Sequence, residues 1–232
     1  MRLAALGLGI AYGAFALTFR GPKARFWQRM TNTGAILGTL AIAGDPSLQR
    51  PQLRRRDVAL GLGIAAGLYG IFQLGDRIAR RILPSGDRNI GDIYELRDLR
   101  PKEEIALRLG AVVGPAEELF WRGLLGRSAV RRFGAVRGVA LAAGAYGGAH
   151  LVTGNPALIG AATVAGVYWS IWAALGAPMA ALITSHVIWD IWIFLLAPTQ
   201  RAQPIQPIQP IRPIAQPSAD GPSAKAAPVA LG

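Results

Sequence analysis

The sequence predicts an all-α protein: a polytopic transmembrane bundle of about six to eight helices, followed by a disordered C-terminal tail. Three observations point there. The 232 residues are 52% hydrophobic with a mean hydropathy of +0.32 and 29 glycines, too apolar for an ordinary soluble domain of this size. Apolar segments recur at 3–19, 31–44, 58–75, 105–125, 138–154, 156–176 and 178–197, and most have the roughly 17–22 residues that a helix needs to cross the hydrocarbon core. Between them sit short basic clusters, Arg20 to Arg29, Arg54 to Arg56 and Arg127 to Arg137, where topology signals belong.

That placement also accounts for the net charge of +12. Clusters confined to inter-span loops read as membrane orientation signals, so no nucleic-acid partner is expected. The absence of cysteine rules out a disulfide framework, a thiolate nucleophile and Cys-ligated zinc.

The first segment starts like a signal peptide, but Arg20, Lys23, Arg25 and Arg29 follow it directly. Basic residues there resist export, and an uncleaved first span is expected. Residues 31–44 are too short to cross alone. They form either a re-entrant hairpin or a helix extended back through Phe26 and Trp27 at the cost of burying Arg29. With the hairpin, the basic loops 20–29 and 50–57 share one side and the charge-balanced stretch 76–104 takes the other. Ala5 to Gly13 and Ala59 to Gly67 match at all but one position. The match ends there, as expected of two Ala/Gly/Leu-rich spans converging by composition. In the fifth segment Gly138, Ala142, Ala145 and Gly148 are small enough to let helix backbones come close. Trp169, Trp172, Trp189 and Trp192 suit either interfacial anchoring or packing between helices. After Pro198, Gln-Pro-Ile repeats and a Ser/Ala/Pro/Gly run cannot bury a core and predict a disordered, polyproline-like tail. The chain therefore divides into N-terminal spans with a polar connecting segment (1–99), a core carrying the polar motifs (100–197) and the tail (198–232).

Ionisable groups inside membrane segments are costly and are functional candidates by default. Here they are few: Glu117, Glu118 and Arg122 in the fourth segment, His150 in the fifth, and His186 and Asp190 in the seventh. Glu118 and Arg122 are four apart with the acid N-terminal, the better orientation for an ion pair on one helical face. Glu117 points about 100° away. Pro115 opens this turn, and a helix N-terminus there would favour both carboxylates as anions. His186 and Asp190 repeat the four-residue spacing. A glutamate and two histidines from three helices suit either general-base hydrolysis or a metal site with two histidines and a carboxylate. Taken singly, each has a plainer explanation: an ion pair as structural glue, a histidine hydrogen-bonded in a core, an aspartate orienting a neighbour.

In order, the motifs are E-E-x-x-x-R (Glu117, Glu118, Arg122), Y-x-x-x-H (Tyr146, His150) and H-x-x-x-D (His186, Asp190). Together they resemble the CPBP family of CAAX proteases and bacteriocin-processing enzymes, which includes the type II CAAX prenyl endopeptidases. The resemblance covers roughly residues 100–197. It implies a helical intramembrane endopeptidase in which Glu117 is the general base and His150 holds and polarises water. Glu118 and Arg122 would form a supporting ion pair, and His186 with residue 190 would stabilise the oxyanion. Two departures stand out. The second motif begins with Tyr146 where the family usually has Phe, and the third ends in Asp190 where it often has Asn, so Asp190 has the alternative role of orienting His186. The resemblance points to glutamate-activated water without a cofactor. A divalent metal such as zinc, if used, would take Glu117, His150 and His186. The implied partners are the lipid bilayer and a peptide or protein substrate at the membrane, with or without a prenyl group, and the Arg-over-Lys bias suggests a bacterial plasma (inner) membrane. Two other classes compete: a non-catalytic immunity or scaffold protein that keeps the fold, and a small transporter relaying protons through Glu117, His150 and His186.

Overall fold

The computed structural model describes residues 2–49, 51–82 and 86–198, and these form helices joined by short turns, with no strand among them. Of the tail expected at 198–232, all but Pro198 lies outside the described residues. Eight helices follow one another. Helix α1 is Arg2–Arg20, α2 is Phe26–Gly44, α3 is Arg55–Ile82 and α4 is Gly86–Tyr94. Helix α5 runs unbroken over residues 102–133, α6 is Ala135–Ala149, α7 is Pro156–Ala174 and α8 covers residues 179–196. Segments within α1, α3, α7 and α8 (Leu3–Arg20, Arg55–Ile78, Pro156–Ala174 and Met179–Leu196) are long and apolar enough to cross a membrane.

Local chemistry marks the joints. Gly134 separates α5 from α6 at φ +80, a left-handed conformation that favours a residue without Cβ. Asn155 caps α7, its side-chain oxygen accepting from the Leu158 N–H at 3.0 Å, and Pro156 takes the first helical position, where its missing N–H is harmless.

Residues 31–44 belong to the single helix Phe26–Gly44 and form no re-entrant hairpin. Extending back through Phe26 and Trp27 does not bury Arg29 unpaired, because its guanidinium donates to the carbonyls of Thr18 (3.1 Å) and Pro22 (2.7 Å) at the α1–α2 turn. The sidedness expected from the hairpin is therefore corrected. The loop at 20–29 meets the connecting segment 94–101 and the turn after α6: Lys23 pairs with Glu95 at 2.8 Å, Trp27 donates to the Leu96 carbonyl at 2.7 Å, and Arg20 reaches the Val152 carbonyl. Residues 45–49 and 51–57 lie at the opposite end with the close of α5, where Asp45 faces Arg127 at 3.4 Å. The basic clusters at 54–56 and 127–137 thus share one end, and the cluster at 20–29 takes the other.

The central core joins α1, α2, α5, α6 and α7 through Phe15, Leu37, Phe120, Trp121, Tyr146 and Ala162. A second cluster packs α3 on α7 through Ile64, Leu68, Ala165 and Trp169. Lipid is as apolar as leucine, so helices in a membrane associate chiefly through close packing. The expected small residues of α6 do this work. A Cβ at Gly138 would come 2.5 Å from the Val130 Cα, and one at Gly148 would come 2.8 Å from the Tyr12 hydroxyl. The two near-identical stretches pack differently. A Cβ at Gly61 would meet the Ala181 carbonyl and Thr184 at 2.7 Å, and one at Gly67 the Tyr168 hydroxyl, whereas nothing crowds the matching Gly13.

Gly61→Val is expected to lower stability by about 1–3 kcal/mol, because the backbone of α8 cannot yield. Gly63→Val, which faces open space, is expected to have almost no effect. Unfolding midpoints of the two variants in the same detergent check the contrast.

Candidate active site

Glu117, Glu118, Arg122, His150 and His186 are between 0% and 6% exposed, so none can rely on water outside the fold. Each must be satisfied by the protein or by what enters the site. The central contact is one oxygen: Glu118 Oε1 accepts from Arg122 Nη1 at 2.9 Å and from His186 Nδ1 at 2.7 Å, tying α5 to α8. The helices come this close because residue 114 is glycine, where a Cβ would lie 2.8 Å from Val187 Cγ2. With Nδ1 donating to a carboxylate, the other nitrogen of His186, Nε2, faces Asp190 Oδ2 at 3.5 Å.

The Arg122 guanidinium lies over two aromatic faces, Tyr146 of α6 at 4.5 Å and Trp169 of α7 at 5.1 Å. Its Nε and Nη2 make no hydrogen bond. The ring faces stabilise the cation in their place, a contribution that reaches about 2 kcal/mol when desolvated. Trp169 also stacks on His186, with centroids 4.1 Å apart and planes 18° apart, and its Nε1 donates to Ser185 Oγ at 3.0 Å. One indole thus holds both the imidazole and the guanidinium in place.

Glu117, on its own face of α5, interacts with the Tyr146 hydroxyl and with the charges of His186, Asp190 and Arg122. His150 sits where α6 tightens into the 3₁₀ turn His150–Thr153, and its Nδ1 donates to the Tyr146 carbonyl at 3.0 Å. In the neutral ring this leaves the Nε2 lone pair available to accept. The ring is held edge-on by Phe15 (5.1 Å) and Tyr146 (5.1 Å), with Phe19 at 5.9 Å, and it lies within electrostatic range of His186 and Arg122. Asp190 is the most accessible of the group, its side chain 15% exposed.

All the residues singled out from sequence therefore gather in one region, and each meets at least one other member. What sequence spacing missed is the backbone that presents them. Stretches of π-helix, Leu109–Val113 and Leu119–Gly126, flank the α-helical turn Gly114–Glu118, and a third, Ile191–Leu196, follows Asp190. Such wide turns are rare and recur at functional sites. Pro115 supplies a reason for the first: a proline ring clashes with the carbonyl four residues back, and a widened turn makes room for it. Pro115 does stand in the first α-helical turn. The backbone before it is already helical, however, with Val113 at φ −66 and ψ −60. No free helix N-terminus faces the carboxylates, and the dipole expected there is replaced by Arg122 and His186.

Trp169 is the other residue missed. It is fully buried and packed between helices, whereas Trp192 is 48% exposed. Its sequence signal was limited to one large aromatic among small residues, Ala165, Gly166 and Ser170, which leave room for it. Among the described residues no group of three or more His, Asp or Glu side chains is arranged to hold a metal ion.

Comparison with known proteins agrees with the family resemblance. Residues 104–192 match the family described as type II CAAX prenyl endopeptidase Rce1-like. The Rce1-like region thus holds every polar residue of the site, from Glu117 to Asp190, and leaves out α1 to α4, which bring apolar side chains to it, Phe15 and Phe19 against His150 and Ile64 and Leu68 against Trp169. No curated protein and no solved structure matches the chain. An Rce1-like family is one of CAAX-type proteases, and the four apolar helices fit an integral membrane protein.

Arg122→Met removes one partner of a buried charge group and leaves Glu118 with His186 alone. A loss of about 3–5 kcal/mol is expected, measurable as a lowered unfolding midpoint or greater sensitivity to denaturing detergent. Trp169→Ala is expected to cost about 3–5 kcal/mol through the cavity it opens, and Trp169→Phe, which keeps a ring over His186, less than that.

Proposed function

We propose that the protein is an intramembrane endopeptidase that hydrolyses peptide bonds of membrane-associated substrates, prenylated or not, with water activated by Glu117 and His150. The observation that carries this reading is the division of labour between adjacent acids. Glu118 is committed to Arg122 and His186, whereas Glu117 interacts with the Tyr146 hydroxyl and with the charges of His186, Asp190 and Arg122 and, among the described residues, has no guanidinium hydrogen-bonded to it. A carboxylate free of an ion pair is the one able to take a proton.

In this mechanism a water molecule accepted by His150 Nε2 and Glu117 adds its oxygen to the scissile carbonyl carbon. The water proton passes to Glu117, and negative charge develops on the carbonyl oxygen. His186, held between Glu118 and Asp190, stabilises that oxyanion, the kind of electrostatic contribution that dominates acyl transfer. Glu117 then returns the proton to the departing amine nitrogen as the C–N bond breaks. Asp190 acts on His186, since its oxygen lies 3.5 Å from Nε2 and a carboxylate cannot donate to an oxyanion. Tyr146, in place of the family's usual Phe, adds a hydroxyl that steadies Glu117.

The reading assigns no resident metal. Supporting it, Nε2 of His186, the nitrogen a metal would need, already faces Asp190 Oδ2 at 3.5 Å. The site would sit in a bacterial plasma membrane, with substrate entering between helices.

Glu117→Gln keeps the shape and removes the base. Cleavage of a membrane-tethered peptide by vesicle-reconstituted protein is expected to fall about 10²–10⁴-fold with little change in KM. Wild-type turnover in Glu117→Gln and His150→Ala would remove the proposal. Prolonged chelation is expected to leave the rate unchanged, and loss restored by added zinc would replace the metal-free mechanism with a metal-dependent one.

A further inference from the structure

A cavity of about 280 Å³ lies at the end of the bundle where α2 closes, α3 opens and the α7–α8 turn enters α8. Arg54, Arg56 and Arg127 line it together with Ser47, Gln52 and one carboxylate, Asp57, beside apolar residues that include Leu48. Along α8 it is about 10 Å from His186, from the helical rise of 1.5 Å per residue between positions 179 and 186. None of its three arginines takes part in the site already described.

The cations outnumber their partners. Arg127 faces Asp45 at 3.4 Å and Arg56 faces Asp57 at 3.6 Å, both long for an ion pair, while Arg54 donates to the amide oxygen of Gln52 and, among the described residues, pairs with no carboxylate. Asp45 is already engaged, its Oδ1 accepting from the Ser47 hydroxyl at 2.5 Å and the Ser47 N–H at 3.1 Å. The Ser47 hydroxyl first, then its N–H and Arg127, hold Asp45 below the usual carboxylate range. Asp45 therefore stays anionic and satisfied, and three guanidiniums with planar donor forks stand around one cavity against two carboxylates, Asp45 and Asp57, which leaves one positive charge in excess. That geometry suits a phosphate, which arginine binds through paired N–H donors.

Position selects the source of the phosphate. The membrane-crossing stretches of α3 and α8 begin at Arg55 and Met179, so the cavity opens at the level where two spans leave the hydrocarbon. Directly along α3, Leu60 and Leu62 are 37% and 47% exposed, an apolar surface on which acyl chains can lie. Basic pockets between spans at this depth suit anionic headgroups. We propose that the Arg54–Arg56–Arg127 cavity binds the phosphate of an anionic phospholipid headgroup, whose acyl chains run along α3.

The full chain, purified and reconstituted in phosphatidylcholine vesicles with or without phosphatidylglycerol, tests this without reference to cleavage. Phosphatidylglycerol is expected to raise the unfolding midpoint by several degrees. Native mass spectrometry is expected to find phosphatidylglycerol retained at least tenfold more by the wild type than by a variant carrying Arg54→Gln, Arg56→Gln and Arg127→Gln. Lysine at the same three positions is expected to keep part of the effect, since the charge remains and the fork is lost. Equal stabilisation of wild type and glutamine variant, or none in the wild type, would overturn the proposal. So would an equal rise from inorganic phosphate in phosphatidylcholine vesicles, which marks a simple ion site, or a rise produced by a peptide carboxylate and not by the lipid, which assigns the cavity to substrate.

Discussion

One carboxylate oxygen organises the centre of this protein. Glu118 Oε1 accepts from both Arg122 and His186, and because all three are buried, losing either partner would leave a charge with no water to answer it. The demand spreads outward. For His186 to reach Glu118, α8 must approach α5 at Gly114. For the guanidinium to rest between ring faces, α6 and α7 must bring Tyr146 and Trp169 over it, and α7 closes on Tyr146 where a Cβ at Gly166 would lie 2.9 Å away. The small residues of the helix crossings and the polar centre are two sides of one requirement, since backbones have to meet before short side chains can.

The spans and the polar group could be read from sequence because both depend on quantities that sequence carries directly. Segment length against hydrocarbon thickness locates helices, and the rarity of ionisable residues in apolar segments locates the site. What sequence could not carry was phase. Four-residue spacing assumes a regular α-helix, yet α5 alternates α and π turns on both sides of Glu117 and Glu118. Trp169 escaped for a different reason. Its contribution depends on α7 lying between α6 and α8, a tertiary fact, and four tryptophans near the ends of two spans look alike until one proves to be stacked on an imidazole.

The path of α2 shows how a single local pairing redirects a topology. Burying Arg29 argued for a short, non-crossing segment and hence for basic loops gathered on one side. Three hydrogen bonds to carbonyls of the α1–α2 turn meet that cost locally, so the helix runs its full length and the loops fall at opposite ends. A charged residue near a span boundary is thus weak grounds for shortening a helix when exposed carbonyls of the preceding turn lie within its reach.

The wide turn at Leu119–Gly126 bears on how relatives of this chain should be aligned. A π stretch holds about one residue more per turn than its α counterpart, so a homologue lacking one residue after Arg122, within 123–126, could close the turn as ordinary α-helix and keep the Glu118–Arg122 pair. The same deletion within Gly114–Glu118 would swing both acids away from their partners. Gaps in the middle of a membrane segment are usually treated as alignment errors; in this helix, just past the arginine that closes the motif, a gap would be a natural form of variation.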